Sequence, residues 1–102
     1  MKNFRTYNLA LELYRESRTL SLQSGVLTDQ FERAILSVVL NLAEGSGRKS
    51  QTDQRRFYGT SLGSLREVQA MFDLAEANEL RRKSDILGAC IYKLIANTGG
   101  RP

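Results

Sequence analysis

The stretch from Leu27 to Arg48, LTDQFERAILSVVLNLAEGSGR, constrains the fold more than any other part of the chain. At about 100° per residue, Phe31, Ile35, Val38 and Leu42 fall on one helical face, and Leu36, Val39, Leu40 and Ala43 widen it. A narrow polar strip remains, made of Arg33, Ser37, Asn41, Glu44 and Arg48 at steps of three or four. A helix apolar over so wide an arc has to be covered on several sides. It is expected to lie centrally in its own bundle, with a second chain burying the surplus ridge.

The remainder reads as helix too. One Pro, no Trp and abundant Leu, Ala, Glu and Arg favour an all-α fold, and 102 residues suit a single domain over 1–102. A first helix is expected from Arg5 to Leu22. Phe4, Tyr7, Ala10, Leu11 and Tyr14 share one face of it, and Leu9, Leu13 and Leu20 a second. Ser24-Gly25 reads as its close. Thr28 reads as the N-cap of the central helix, with Asp29 and Glu32 offsetting the dipole in its first turn, and Gly45 and Gly47 as its stop. Ser50 and Asp53 resemble a capping box opening a third helix from Gln51 to Asn78. Its core stripe is Phe57, Ser61, Leu65, Val68, Phe72 and Ala75. Gly59 and Gly63 lie inside it at a cost of about 1 kcal/mol each relative to Ala, so they are expected to admit a close neighbour. Leu80–Lys83 reads as a linker and Ser84 as the N-cap of a fourth helix. That helix carries Leu87, Cys90, Ile91, Leu94 and Ile95 on one face and fades at Asn97, leaving 97–102 as a mobile tail. Four amphipathic helices with short connections predict an antiparallel up-down-up-down four-helix bundle.

Lys and Arg number 15 against 11 Asp and Glu, a net charge of +4, and eleven of those bases are arginine. Arginine forks match phosphates and carboxylates alike, so the bias fits either a recognition surface or an ion-pair network. The predicted topology places Lys2, Arg5, Arg48, Lys49, Arg55 and Arg56 near one end. Arg15, Arg18, Arg81, Arg82 and Lys83 fall near the other. The lone Cys90 excludes an intramolecular disulfide, and the N-terminal MKNFRTYNLALELY reads as neither a signal peptide nor a membrane span; a reducing cytoplasm is expected.

The absence of histidine excludes Glu-x-x-His di-metal sites, His-containing zinc sites and Ser-His or Cys-His nucleophile pairs. Glu12, Glu44 and Glu67 are too sparse for a carboxylate metal site, and EGSGRKS lacks P-loop spacing. The sequence therefore reads as non-enzymatic, with no metal and no cofactor.

The runs RAILSVVLNLAEGSGR and FYGTSLGSLREVQ resemble the four-helix-bundle proteins encoded in intervening sequences of bacterial 23S rRNA genes, related to accessory variability proteins of diversity-generating retroelements. The shared elements are Arg33-Ala34, Ser37, Asn41, Ala43-Glu44-Gly45 and Gly47-Arg48, then Phe57, Gly63-Ser64-Leu65 and Glu67. Tyr7 stands where a Trp is common in relatives, and the fourth helix is shorter than in many of them. The resemblance implies a ring-shaped homopentamer. In the retroelement branch it implies a basic ring that works with RNA and a reverse transcriptase.

Three groups of residues are candidates for function. Arg48, Lys49, Arg55 and Arg56, and separately Arg81, Arg82 and Lys83, are candidate phosphate contacts or solvated helix ends; a ring would multiply each cluster. Tyr58, beside Arg55-Arg56, reads as packing or as a base-stacking ring. Leu9, Leu13, Leu36 and Leu40 are candidate subunit contacts, with internal packing as the other reading. Arg33, Ser37, Asn41 and Glu44 are expected to satisfy polar groups between helices, or else to form a polar site. The leading reading is an oligomeric RNA- or DNA-binding accessory protein, with a reverse transcriptase as possible partner. The alternative is a protein-assembly module without nucleic-acid contact.

Overall fold

The computed structural model describes residues 4–99. Four α-helices follow one another: α1 (Phe4–Ser17), α2 (Gly25–Gly47), α3 (Gln51–Leu74) and α4 (Asn78–Asn97). Among the described residues there is no strand. Each helix packs on two neighbours, α2 on α3, α3 on α4, and α1 on both α2 and α4, in a bundle of 41 × 22 × 22 Å. Along the α2–α3 seam, partner numbers fall on α3 as they rise on α2. Phe31 meets Phe72 at 5.7 Å between ring centroids, Ser61 donates to the Val38 carbonyl at 2.8 Å, and Gly45 lies against Tyr58.

The core follows from the periodicity. Phe31, Ile35, Val38 and Leu42 of α2, Leu65, Val68 and Phe72 of α3 and Leu87, Ile91 and Ile95 of α4 are all buried in one core cluster. Burying side chains of this size contributes about 1.5–3 kcal/mol each. Ser61 belongs to that stripe without orphaning a polar group, because its hydroxyl caps the Val38 carbonyl. Cys90 is only half-buried on α4.

Several boundaries differ from the sequence expectations, each for a local reason. Helix α1 stops at Ser17, not Leu22, where Leu20 N–H bonds the Ser17 carbonyl at 3.0 Å in a tightened turn. Ser24, not Thr28, caps α2. Its hydroxyl accepts from Leu27 N–H at 3.1 Å, so Gly25 opens the second helix and does not close the first. Gly45 and Gly47 do not stop α2; the helix runs through both, and Arg48 closes it by bonding the Gly45 carbonyl. The Ser50 cap is as expected, its hydroxyl accepting from Asp53 N–H at 3.1 Å. Helix α3 ends at Leu74, not Asn78. Ala77 N–H reaches the Phe72 carbonyl at 2.9 Å and Glu76 N–H the Asp73 carbonyl at 3.1 Å around Glu76 at φ 56°, a Schellman closure with a glutamate in the usual glycine position. Leu80–Lys83 is no linker but the first turns of α4. Ser84 is buried in that helix, donating to the Arg81 carbonyl at 2.6 Å, so it cannot be the cap. Of the expected tail, Thr98 is buried and its carbonyl is held by Arg55 at 3.2 Å, which ties it to α3; residues 100–102 lie outside the described residues, as do Lys2 and the side chain of Phe4.

Candidate functional site

The junction between α2 and α3 gathers the first basic cluster. Arg48 is the C-cap of α2, Lys49 follows it, and Arg55 and Arg56 lie one turn into α3. Arg48 donates to Glu44 at 2.7 Å on its own helix, and its guanidinium carbon sits 4.7 Å from the Phe57 ring centroid. Arg56 sits over the same ring at 4.6 Å and lies 3.8 Å from Asp53. Arg55 points along the bundle end to the Thr98 carbonyl and to Thr52. Lys49 is exposed. Residues 44–56 thus hold four bases against two acids, Glu44 and Asp53, and the charge is left in excess.

The stripe expected on α3 is displaced by one residue at this point. Tyr58 is in the core at 1 % exposure and Phe57 is half-buried, because the bare backbone of Gly45 opens the slot that the Tyr58 ring fills. A Cβ on Gly45 would lie 2.6 Å from Tyr58 Cε1. Tyr58 is therefore not the stacking ring of this cluster; Phe57 is the ring beside the guanidinium groups, and sequence reasoning assigned it to the core.

The second cluster is placed differently. Arg81 bonds Asp73 at 3.0 Å and also Asp85, Arg82 bonds Glu79 at 2.6 Å, and Lys83 bonds Glu16 of α1 at 2.6 Å. The hydrogen bond to Glu16 holds the Lys83 ammonium above its ordinary 10.5. Residues 73–85 hold three bases against four acids, and Glu16 adds a fifth. Arg81, Arg82 and Lys83 are thus each matched by a carboxylate of the same chain, whereas Arg18 lies over the Tyr14 ring.

The polar strip of α2 divides. Ser37 crosses to Ser64 of α3 at 2.7 Å between hydroxyls, and Asn41 donates back to the Ser37 carbonyl at 2.9 Å and hydroxyl at 3.0 Å. Ser37, not Asn41 or Glu44, makes the inter-helix contact, and Ser64 is a partner that residue spacing alone did not single out. Arg33 is exposed beside Ser64 and Glu67 in the shallow α2–α3 groove.

Of the four candidate subunit contacts, Leu36 and Leu40 remain 41 % and 62 % exposed on the outer face of α2. Leu9 is half-buried against the core. Leu13 is 1 % exposed and belongs to the core, so a second chain cannot reach it. Gly59 and Gly63 do not admit a close neighbour within the chain: both are exposed, with nothing within 4 Å of an added Cβ. The close approach occurs at Gly45 instead. Among the described residues no group of three or more His, Cys, Asp or Glu could hold a metal ion, and no helix is long and apolar enough to cross a membrane.

These features define a small all-helical protein of four packed helices with excess positive charge where α2 meets α3. The family model described as 23S rRNA-intervening sequence protein matches residues 4–94, and the chain belongs to that family. No curated protein matches the chain.

Proposed function

We propose that this protein is a non-enzymatic, nucleic-acid-binding accessory protein of the cytoplasm, and that residues 48–56 form its phosphate-binding surface. The observation that carries the reading is the excess of Arg48, Lys49, Arg55 and Arg56 over Glu44 and Asp53 at one end of the bundle. Membership of a family described by an rRNA intervening sequence supports an RNA context. In this reading the falling partner numbers along α2 and α3 reflect an antiparallel up-down-up-down bundle. The exposed Leu36 and Leu40, with Gly59 and Gly63 open on α3, face further copies in a ring, pentameric by resemblance to relatives. Each copy repeats the basic end, which multiplies phosphate contacts. A reverse transcriptase is the protein partner that the retroelement branch suggests.

The test is a fluorescence-anisotropy titration of labelled RNA over a salt series. Phosphate binding gives log affinity falling with log salt by about 0.7 per contact for a single strand. Absence of binding at low salt removes the reading. A second reading, an assembly module without nucleic-acid contact, is favoured by the 62 % exposure of Leu40. Sedimentation separates the oligomer question: Leu40→Glu is expected to dissociate the assembly, whereas a wild-type chain that stays monomeric at high concentration rules out the ring.

A further inference from the structure

We infer that the basic end takes an unpaired base on the Arg48–Phe57–Arg56 cluster, so that its ligand is single-stranded nucleic acid. This rests on the nucleic-acid reading above and adds the class of strand. The geometry is that of a prepared platform. Two guanidinium groups lie over one phenyl ring, at 4.7 and 4.6 Å from its centroid, and each is tethered by a carboxylate, Glu44 for Arg48 and Asp53 for Arg56. The ring is carried by a capped helix start and is followed directly by the buried Tyr58, so its position is fixed by the core. Both side chains stay accessible to a ligand, Arg48 at 40 % and Arg56 at 65 % exposure.

Planar guanidinium and aromatic groups are the surfaces on which splayed-out bases stack, and stacking tolerates any base because every base has a π-face. In a duplex those faces are turned into the helix stack. The exposed Lys49 and the half-buried Arg55, next in sequence to Arg48 and Arg56, supply further charge for the phosphates of a bound strand. The other end offers a useful contrast. Arg18 lies over Tyr14 at 5.7 Å, but Arg81, Arg82 and Lys83 are each paired with a carboxylate, so that cluster leaves less free positive charge for a phosphate backbone.

The experiment compares four labelled oligonucleotides of equal length by anisotropy at one low salt concentration. They are single-stranded RNA, single-stranded DNA, a duplex, and a single strand with abasic positions that keeps its phosphates. The expected result is that base-bearing single strands bind roughly 10-fold tighter than the abasic strand. Arg56→Lys, which keeps the charge at an exposed position, is expected to leave the salt slope unchanged and remove that preference. Phe57→Leu, with helix content checked by circular dichroism, is expected to do the same. An abasic strand or a duplex bound as tightly as the base-bearing strands overturns the stacking inference and leaves phosphate binding standing. An Arg56→Lys variant that retains the full preference also overturns it. Binding of none of the four overturns both.

Discussion

The two ends of this molecule carry similar numbers of arginine and lysine and yet present different surfaces. At the α3–α4 end, Arg81, Arg82 and Lys83 each meet a carboxylate, two of these reached across a turn or between helices, Asp73 and Glu16. At the α2–α3 end, two acids face four bases, and two of the guanidinium groups rest on an aromatic ring. Arg48 and Arg56 rest on the ring while also lying beside Glu44 and Asp53, so the charge in excess at this end is that of Lys49 and Arg55, whereas a cation paired with a carboxylate presents a neutral couple to a distant anion. Counting bases along the chain therefore overstates the phosphate affinity of one end and misses the platform at the other.

The largest expected effect separates the ends directly. The triple variant Arg48→Gln, Lys49→Gln, Arg56→Gln is expected to weaken single-strand RNA binding roughly 100-fold near 0.1 M salt, since each lost phosphate contact costs about 5-fold there. The matching triple at Arg81, Arg82 and Lys83 is expected to change affinity by about 2-fold or less while lowering thermal stability. Equal losses from the two triples would erase the distinction between the ends.

Next comes the packing beneath the basic end. Gly45→Ala sets a methyl group 2.6 Å from the buried Tyr58 ring and 3.2 Å from Phe57 Cβ, so it is expected to destabilise the fold by about 2 kcal/mol in chemical denaturation. Gly59→Ala and Gly63→Ala meet nothing within the chain. Each is expected to stabilise the isolated protomer by about 1 kcal/mol from helix propensity. If the same changes also weaken association in sedimentation, α3 contributes to the subunit contact. Opposite signs at Gly45 and at Gly59 sharpen the view that only the first glycine is required by the fold. The smallest effect lies in the α3–α4 turn, where Glu76→Gly relieves a left-handed backbone and is expected to add about 0.5 kcal/mol.

Helices α2, α3 and α4 were readable because the apolar periodicity of Phe31–Leu42, Leu65–Phe72 and Leu87–Ile95 is strong. Their ends were less so. Ser24 and Thr28 are both good caps, and only the bond from Leu27 N–H to the Ser24 hydroxyl distinguishes them. A glutamate at φ 56° hid the end of α3, because left-handed closures are ordinarily sought at glycine. In the candidate site, the Glu44–Arg48 pair is visible at a spacing of four. The neutralisation of Lys83 is not, because Glu16 lies 67 residues away in sequence. Phe57 and Tyr58 are adjacent, and a one-residue choice between them decides which ring is core and which meets the arginines. That choice is made by Gly45 on another helix, which no spacing rule within α3 contains.

Nucleic acid is expected to meet the α2–α3 end and not the α3–α4 end. Arginine side-chain Nε–H resonances, followed by NMR as a short single-stranded oligonucleotide is added, report on both ends in one titration. The expected result is large shifts at Arg48, Arg55 and Arg56 with Arg81 and Arg82 unmoved. Shifts centred on Arg81 and Arg82, or none at either end, would contradict it.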